Sequence, residues 1–223
     1  MMTNLFSIFD PATPSFLSSN WLSVSSFLFF LPLVLWQAPS RFSSLFFLLK
    51  NYLYMEFKPL LKKSPFILVS VLTFFLFILL NNVLGLLPYI FTASSHMVLS
   101  LSMALPYWLS LMLYGWFNNT SNLLMHLIPK GTPMVLMPFM VLIETVSTLI
   151  RPLTLAIRLS ANMIAGHLLL TLLSASFSAL PFFSMPILLV AQIMLCGLEI
   201  AVAVIQAYVF SVLITLYASE SIN

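Results

Sequence analysis

Residues Met134 to Ser174 read MVLMPFMVLIETVSTLIRPLTLAIRLSANMIAGHLLLTLLS, and they decide the fold. The only ionisable residues of the stretch are Glu144, Arg151, Arg158 and His167. About 40 residues of helix reach about 60 Å, twice the roughly 30 Å of a bilayer's hydrocarbon layer. A second run, Ser184 to Ala218, is overlong in the same way. Ordinary mismatch is met by modest tilt, so two such segments predict a long, strongly slanted helical hairpin, with Ser176, Ser178, Pro181 and Ser184 around its turn.

Composition agrees. Of 223 residues, 61% are hydrophobic and 6% charged, and the mean hydropathy is +1.11, so the chain cannot clothe a water-facing surface. Eight Lys and Arg against five Asp and Glu leave +3, too few charges for a nucleic-acid footprint or for disorder. The single cysteine, Cys196, excludes an internal disulfide, a thiolate zinc site and a cysteine-held iron–sulfur cluster. Three scattered histidines offer no haem pair, and no metal or cofactor site is expected.

Working outward, the segment 97–117 and the uncharged segment 65–88 each have the length of one span. Asn118, Asn119, Thr120, Ser121 and Asn122 after them read as a polar loop. Segment 41–63 interleaves Arg41, Lys50, Glu56, Lys58, Lys62 and Lys63 with aromatic clusters, the pattern of an interfacial amphipathic helix. Segment 16–36 is read as the first span. The first forty residues hold no Lys or Arg, so neither a basic signal region nor an Arg-rich transit peptide is expected. The whole reads as one all-α integral membrane domain. Positive charges favour the inner side, which places the basic cluster and the C-terminus inside and the N-terminus outside. His96 and His126 fall in loops and read as surface histidines.

An ionisable group inside a membrane is costly and is read first as functional. If the hairpin helices are antiparallel, facing residues have a constant sum of positions. Glu144 with Glu220 and Arg158 with Gln206 both sum to 364, and His167 with Glu199 sums to 366. Glu144, Arg151, Arg158 and Asn162 stay within about 80 degrees around one helix, and Glu199, Gln206 and Glu220 within about 60 degrees around the other. His167 lies about 180 degrees from Arg158 and fails that test. Small residues Ser160, Ala161 and Ala165, with Ala203, Ala207 and Ser211, would admit another helix closely.

Such groups support proton relay. Carboxylates and imidazole exchange protons, whereas a guanidinium stays charged. Arg158 between two titratable clusters would interrupt a continuous wire and hold a passing carboxylate ionised. That suits two offset half-channels serving an acid carried by a partner. Bland readings stand beside it: Glu144 and Arg151 as a structural pair, Arg151 snorkelling, His167 and Glu199 bonded to each other, Glu220 simply solvated.

LGLLPYIFT at Leu84 to Thr92, LPYWLSLMLYGW at Leu105 to Trp116, IRLSANMIAGHLL within the long run and LEIAVAVIQAYVFSVLITLY at Leu198 to Tyr217 together resemble subunit a of F-type ATP synthase, in its mitochondrially encoded form, over nearly the whole chain. The resemblance implies that Arg158 is the family's essential arginine and that Asn162 and Gln206 are its polar neighbours. It makes His167 and Glu199 the acceptor pair of the intermembrane-space channel, and Glu144 and Glu220 the matrix-channel acids. It implies c-ring subunits, other F0 stator and peripheral-stalk subunits, lipid and protons as partners, and no nucleic acid. It further implies the mitochondrial inner membrane, with the N-terminus toward the intermembrane space and the C-terminus toward the matrix. It implies, finally, a subunit that conducts protons for ATP synthesis and is not catalytic alone. Ser160, where Thr is common, and Cys196-Gly197 depart from the pattern. A self-contained transporter would predict inverted repeats, which are not found here. A packing subunit of a redox complex would need Arg158 for assembly only.

Overall fold

The computed structural model describes residues 5–13, 19–32, 40–61, 65–118, 120–128, 133–134, 136–177 and 185–222, without the side chains of 5, 122, 123, 126 and 220–222. Among these residues every regular element is helical, and four helices are long and apolar enough to cross a bilayer. The α-helices run α1 (Phe27–Phe30), α2 (Arg41–Phe57), α3 (Pro65–Gly85), α4 (Met97–Asn118), α5 (Thr120–His126), α6 (Met137–Ser176) and α7 (Met185–Ile222). Short 3₁₀ turns occupy Leu5–Phe9, Asn20–Ser25 and Ala93–Ser95.

The two overlong runs form α6 and α7, of 40 and 38 residues. Pro152 lies inside α6, where it removes one rung of the backbone ladder without ending the helix. Serine and threonine hydroxyls along both helices bond back to carbonyls of the preceding turn, as Thr171 does to Leu168 and Thr215 to Val212. Their polar atoms are thereby satisfied without water. Residues 178–184, with the expected turn at Pro181, lie outside the described residues.

α3 is the central post: Val71, Leu72, Phe75 and Ile78 are buried on one side of it, and it packs extensively along α7. α7 turns Ala203, Ala207, Ser211 and Ala218 inward, all fully buried. Lipid gives helices little hydrophobic incentive to associate, so close approach across small residues supplies the packing contact instead. Ser160 is buried as that reading requires, whereas Ala161 and Ala165 are exposed. α4 packs against α6, contributing Ala104 and Leu111 to a core shared with Leu155, Ala156 and Leu159.

α2 begins at Ser40, whose hydroxyl accepts the Ser43 amide. It buries Leu53 and Phe57 and leaves Phe42, Leu45, Leu48, Tyr52 and Met55 exposed beside Lys50. That two-sided character matches the interfacial reading; Lys62 and Lys63 lie outside the described residues.

Three expectations are revised. The described part of segment 16–36 holds a short apolar helical run, Asn20–Phe30, 3₁₀ through Ser25 and α from Phe27, which ends at an extended Leu31. Ser25 and Ser26 hydroxyls bond the carbonyls of Leu22 and Ser23, and Pro32 disfavours helix at Leu31. α3 stops at Gly85, three residues before Pro88, because the chain doubles back there. A Cβ on Gly85 would sit 3.2 Å from the Thr92 methyl, and Tyr89 adopts a φ of 67° in the turn. The polar stretch after α4 is mostly helical, since α4 runs through Asn118 and α5 begins at Thr120.

Candidate functional site

α6 and α7 face each other in opposite directions, and the polar residues fall into that register. Arg158, with Leu155 and Leu159, shares a small cavity with Gln206, Val209 and Phe210. Two turns further along α6, Asn162 and Gly166 share a cavity of about 330 Å³ with Leu195 and Glu199. Positions thus rise on one helix as they fall on the other, and Arg158 meets Gln206 at the expected sum.

Arg158 sits close to the middle of α6 with its side chain exposed, and Asn162 one turn on is exposed too. No carboxylate among the described residues lies within ion-pair distance of Arg158. Gln206 across from it is buried, with neither amide atom hydrogen-bonded. Glu199 is 8% exposed, and both carboxylate oxygens lack a protein partner. They lie against Gly166, where a Cβ would come 3.0 Å from Glu199 Cδ and Oε1. Buried polar groups normally find partners. The 330 Å³ cavity has room for water to serve that role.

His167 stands apart from this pair. Its neighbour Gly166 faces Glu199, so the 100-degree step between successive helix residues points His167 elsewhere. The ring meets Phe9 edge-on, centroids 6.4 Å apart, and Nε2 is buried without a partner. The two groups share a depth, but no hydrogen bond joins them. At the other end Glu144 Oε1 accepts from Arg151 at 3.4 Å, both side chains about one third exposed, and the Arg151 guanidinium lies 5.5 Å from the Tyr217 ring centroid on α7. Glu220 lies on α7, its side chain outside the described residues. Glu144 is about 21 Å from Arg158 along the axis and His167 about 13 Å on the other side.

Two features escaped the sequence reading. Asn81, Asn82 and Ser94 present buried atoms without partners to a cavity they share with Ser100, Leu159 and Phe210. It measures about 10 Å³, room for about one water, and Leu159 and Phe210 also wall the Arg158 cavity. The adjacent asparagines in an otherwise apolar span were the available signal. His96 is partly buried rather than freely exposed: its ring packs with those of Trp21 and Phe91, each 5.3 Å away, and Nε2 is buried. The side chain of His126 is outside the described residues. Among the described residues no three His, Cys, Asp or Glu stand close enough to hold a metal ion.

A family description, ATP synthase A chain, matches residues 17–219, all of the helical hairpin but its last three residues. The chain belongs to the ATP synthase A chain family. Proteins called ATP synthase subunit a from Drosophila mauritiana and Locusta migratoria are each 54% identical to it, and one from Aedes aegypti 52%, in every case over 99% of both chains. Membership makes it a proton-conducting subunit of the F0 sector, working beside other F0 subunits and not catalytic alone. With insect relatives and four apolar helices of spanning length, it is a multi-pass protein of the mitochondrial inner membrane.

Proposed function

We propose that the chain offers two offset half-channels to the carboxylates of a ring of c subunits, and that proton flow through them turns the ring. The observation that carries the reading is Arg158, an exposed cation midway along α6 with no carboxylate among the described residues within ion-pair distance of it. A charge so placed in hydrocarbon is costly unless a partner's acid faces it. On one side of it lie Glu199 and His167 with the large cavity, and on the other lies Glu144. Gln206 and Asn162 flank the arginine and would order water or a passing carboxylate by hydrogen bonding. Glu220 completes the inner half-channel in this reading.

A proton would enter by the Glu199 and His167 side, neutralise a ring carboxylate and leave by Glu144 and Glu220 after nearly a full turn. The guanidinium stays protonated throughout, so it bars a direct path between the halves and favours the ionised ring acid that must pass it. The N-terminus then faces the intermembrane space and the C-terminus the matrix. The contacts to peripheral-stalk and other stator subunits fall to the remaining outer faces.

The test is proton flux in vesicles holding the assembled complex, driven by ATP and then by an imposed gradient, with Arg158 intact or Arg158→Ala. Loss of ATP-driven pumping with passive conduction retained or raised is expected. Unchanged pumping, or a complex that merely fails to assemble with Arg158→Lys as well, would make the arginine a packing residue.

A further inference from the structure

His167 is covered from one side by a part of the chain that the half-channel scheme leaves without a task. The Leu5–Phe9 turn packs on α6, and the Phe9 ring stands perpendicular to the imidazole, at an interplanar angle of 82°. His167 Nε2 is sealed from solvent. The turn is held in place just beyond Phe9: Asp10 Oδ1 accepts the Ala12 amide at 3.0 Å, and the Asp10 carbonyl accepts from Asn20 Nδ2 at 3.4 Å. Next to Asn20, Trp21 packs on Phe91 and His96, tying the segment to the turn between α3 and α4.

We infer that Phe9 is a positioning residue: the N-terminal turn is an apolar cover that fixes the His167 ring and shuts water out on that side, so that protons reach the imidazole only from the helix side. This rests on the proton-path role given to His167 above. An aromatic edge suits the purpose, since it holds a flat ring in one orientation through its quadrupole while offering no hydrogen bond to compete for the proton. The titratable groups on elements packed around His167 are few. α7 brings Glu199, facing Gly166; the N-terminal segment brings Asp10, engaged with Ala12; His96 closes the 93–95 turn. On α4, Tyr107 lies beside Leu155, about 18 Å down the axis, and Tyr114 lies further along.

The experiment uses the assembled complex in vesicles. With His167→Cys in a Cys196→Ser background, a membrane-impermeant maleimide is applied from the side of the N-terminus, with Phe9 present, as Phe9→Leu or as Phe9→Ala. Labelling is expected to be slow in the first two and to accelerate about tenfold or more in the third, as an uncovered thiol gains access. Equal rates in all three overturn the cover. In complexes retaining Cys196, Phe9→Ala should displace the pH profile of ATP-driven pumping, Phe9→Tyr should restore it, and Phe9→Ala combined with His167→Gln should match His167→Gln alone. A displacement of the same size in both His167 backgrounds overturns the inference. Should His167→Gln by itself leave pumping and its profile intact, the proton-path reading of His167 fails, while the labelling rates still decide the cover.

Discussion

The Glu199 carboxylate rests against the bare Cα of Gly166, with only 3.0 Å between its Cδ and the place a methyl group would occupy. Overpacking typically costs about 1–3 kcal/mol. Here the yielding partner is the far end of a flexible side chain, so the strain is relieved by moving the acid. Gly166→Ala is therefore expected to assemble normally and to slow ATP-driven pumping several-fold. Pumping at the original rate in a fully assembled complex would show that the carboxylate has freedom to spare.

Arg151 bridges two helices, bonded to Glu144 on its own helix and lying over Tyr217 on the other. A one-third-exposed ion pair contributes about 0–1 kcal/mol, and a cation over an aromatic face about 0.5–1 kcal/mol. Tyr217→Leu is expected to lower the melting temperature of the detergent-solubilised complex by a few degrees. An unmoved melting temperature would show that the ring adds nothing to the bridge.

Asn82 is fully buried, and neither end of its amide bonds to protein. Leucine has nearly the same shape and brings no unmet hydrogen bond, so Asn82→Leu should assemble in near-normal amount. Asn82→Asp brings a charge with no cation beside it, a change that typically costs about 3–5 kcal/mol, and assembled complex should be largely lost. Native gel electrophoresis of the two variants distinguishes these outcomes, and reversed yields would refute the account.

On the interfacial helix, Tyr52 stands one turn before Glu56, whose carboxylate, as acceptor and as negative charge, raises the phenol above its ordinary range. A raised phenol favours the folded, protonated form. The benefit is whole below the unfolded tyrosine value and is lost as pH climbs through the raised one. The phenolate absorbance attributable to Tyr52, found by difference with Tyr52→Phe, should therefore titrate at lower pH in Glu56→Gln. An unmoved titration would mean that Glu56 is turned elsewhere.

The hairpin was readable from the sequence because two properties survive without coordinates. Apolar length fixes α6 and α7, and rare polar residues mark their register, as Arg158 and Gln206 do. The failed rotation test for His167 was also informative, since no hydrogen bond joins its Nε2 to the Glu199 carboxylate. What eluded the sequence depends on non-local contact. Nothing in the pattern around Phe9 announces that it meets a histidine 158 positions later. Segment 16–36 has the composition of a span, yet its described helix ends at Phe30, where Leu31 turns extended before Pro32, a local effect that hydropathy averages away. His96 is a loop residue as read, but the aromatic rings that pack on it come from separate segments, which the sequence does not announce.

The open face around Arg158 also bears on the thermodynamics of assembly. Carrying a lone cation to the middle of a helix in lipid costs about 2.5–3.5 kcal/mol by insertion scales, and more when water cannot follow. The solitary chain carries that penalty, and docking against an acid-bearing neighbour removes it. Part of the affinity between the two is therefore stored beforehand as discomfort in the unpaired subunit, so Arg158→Gln should weaken the partnership even where no proton moves.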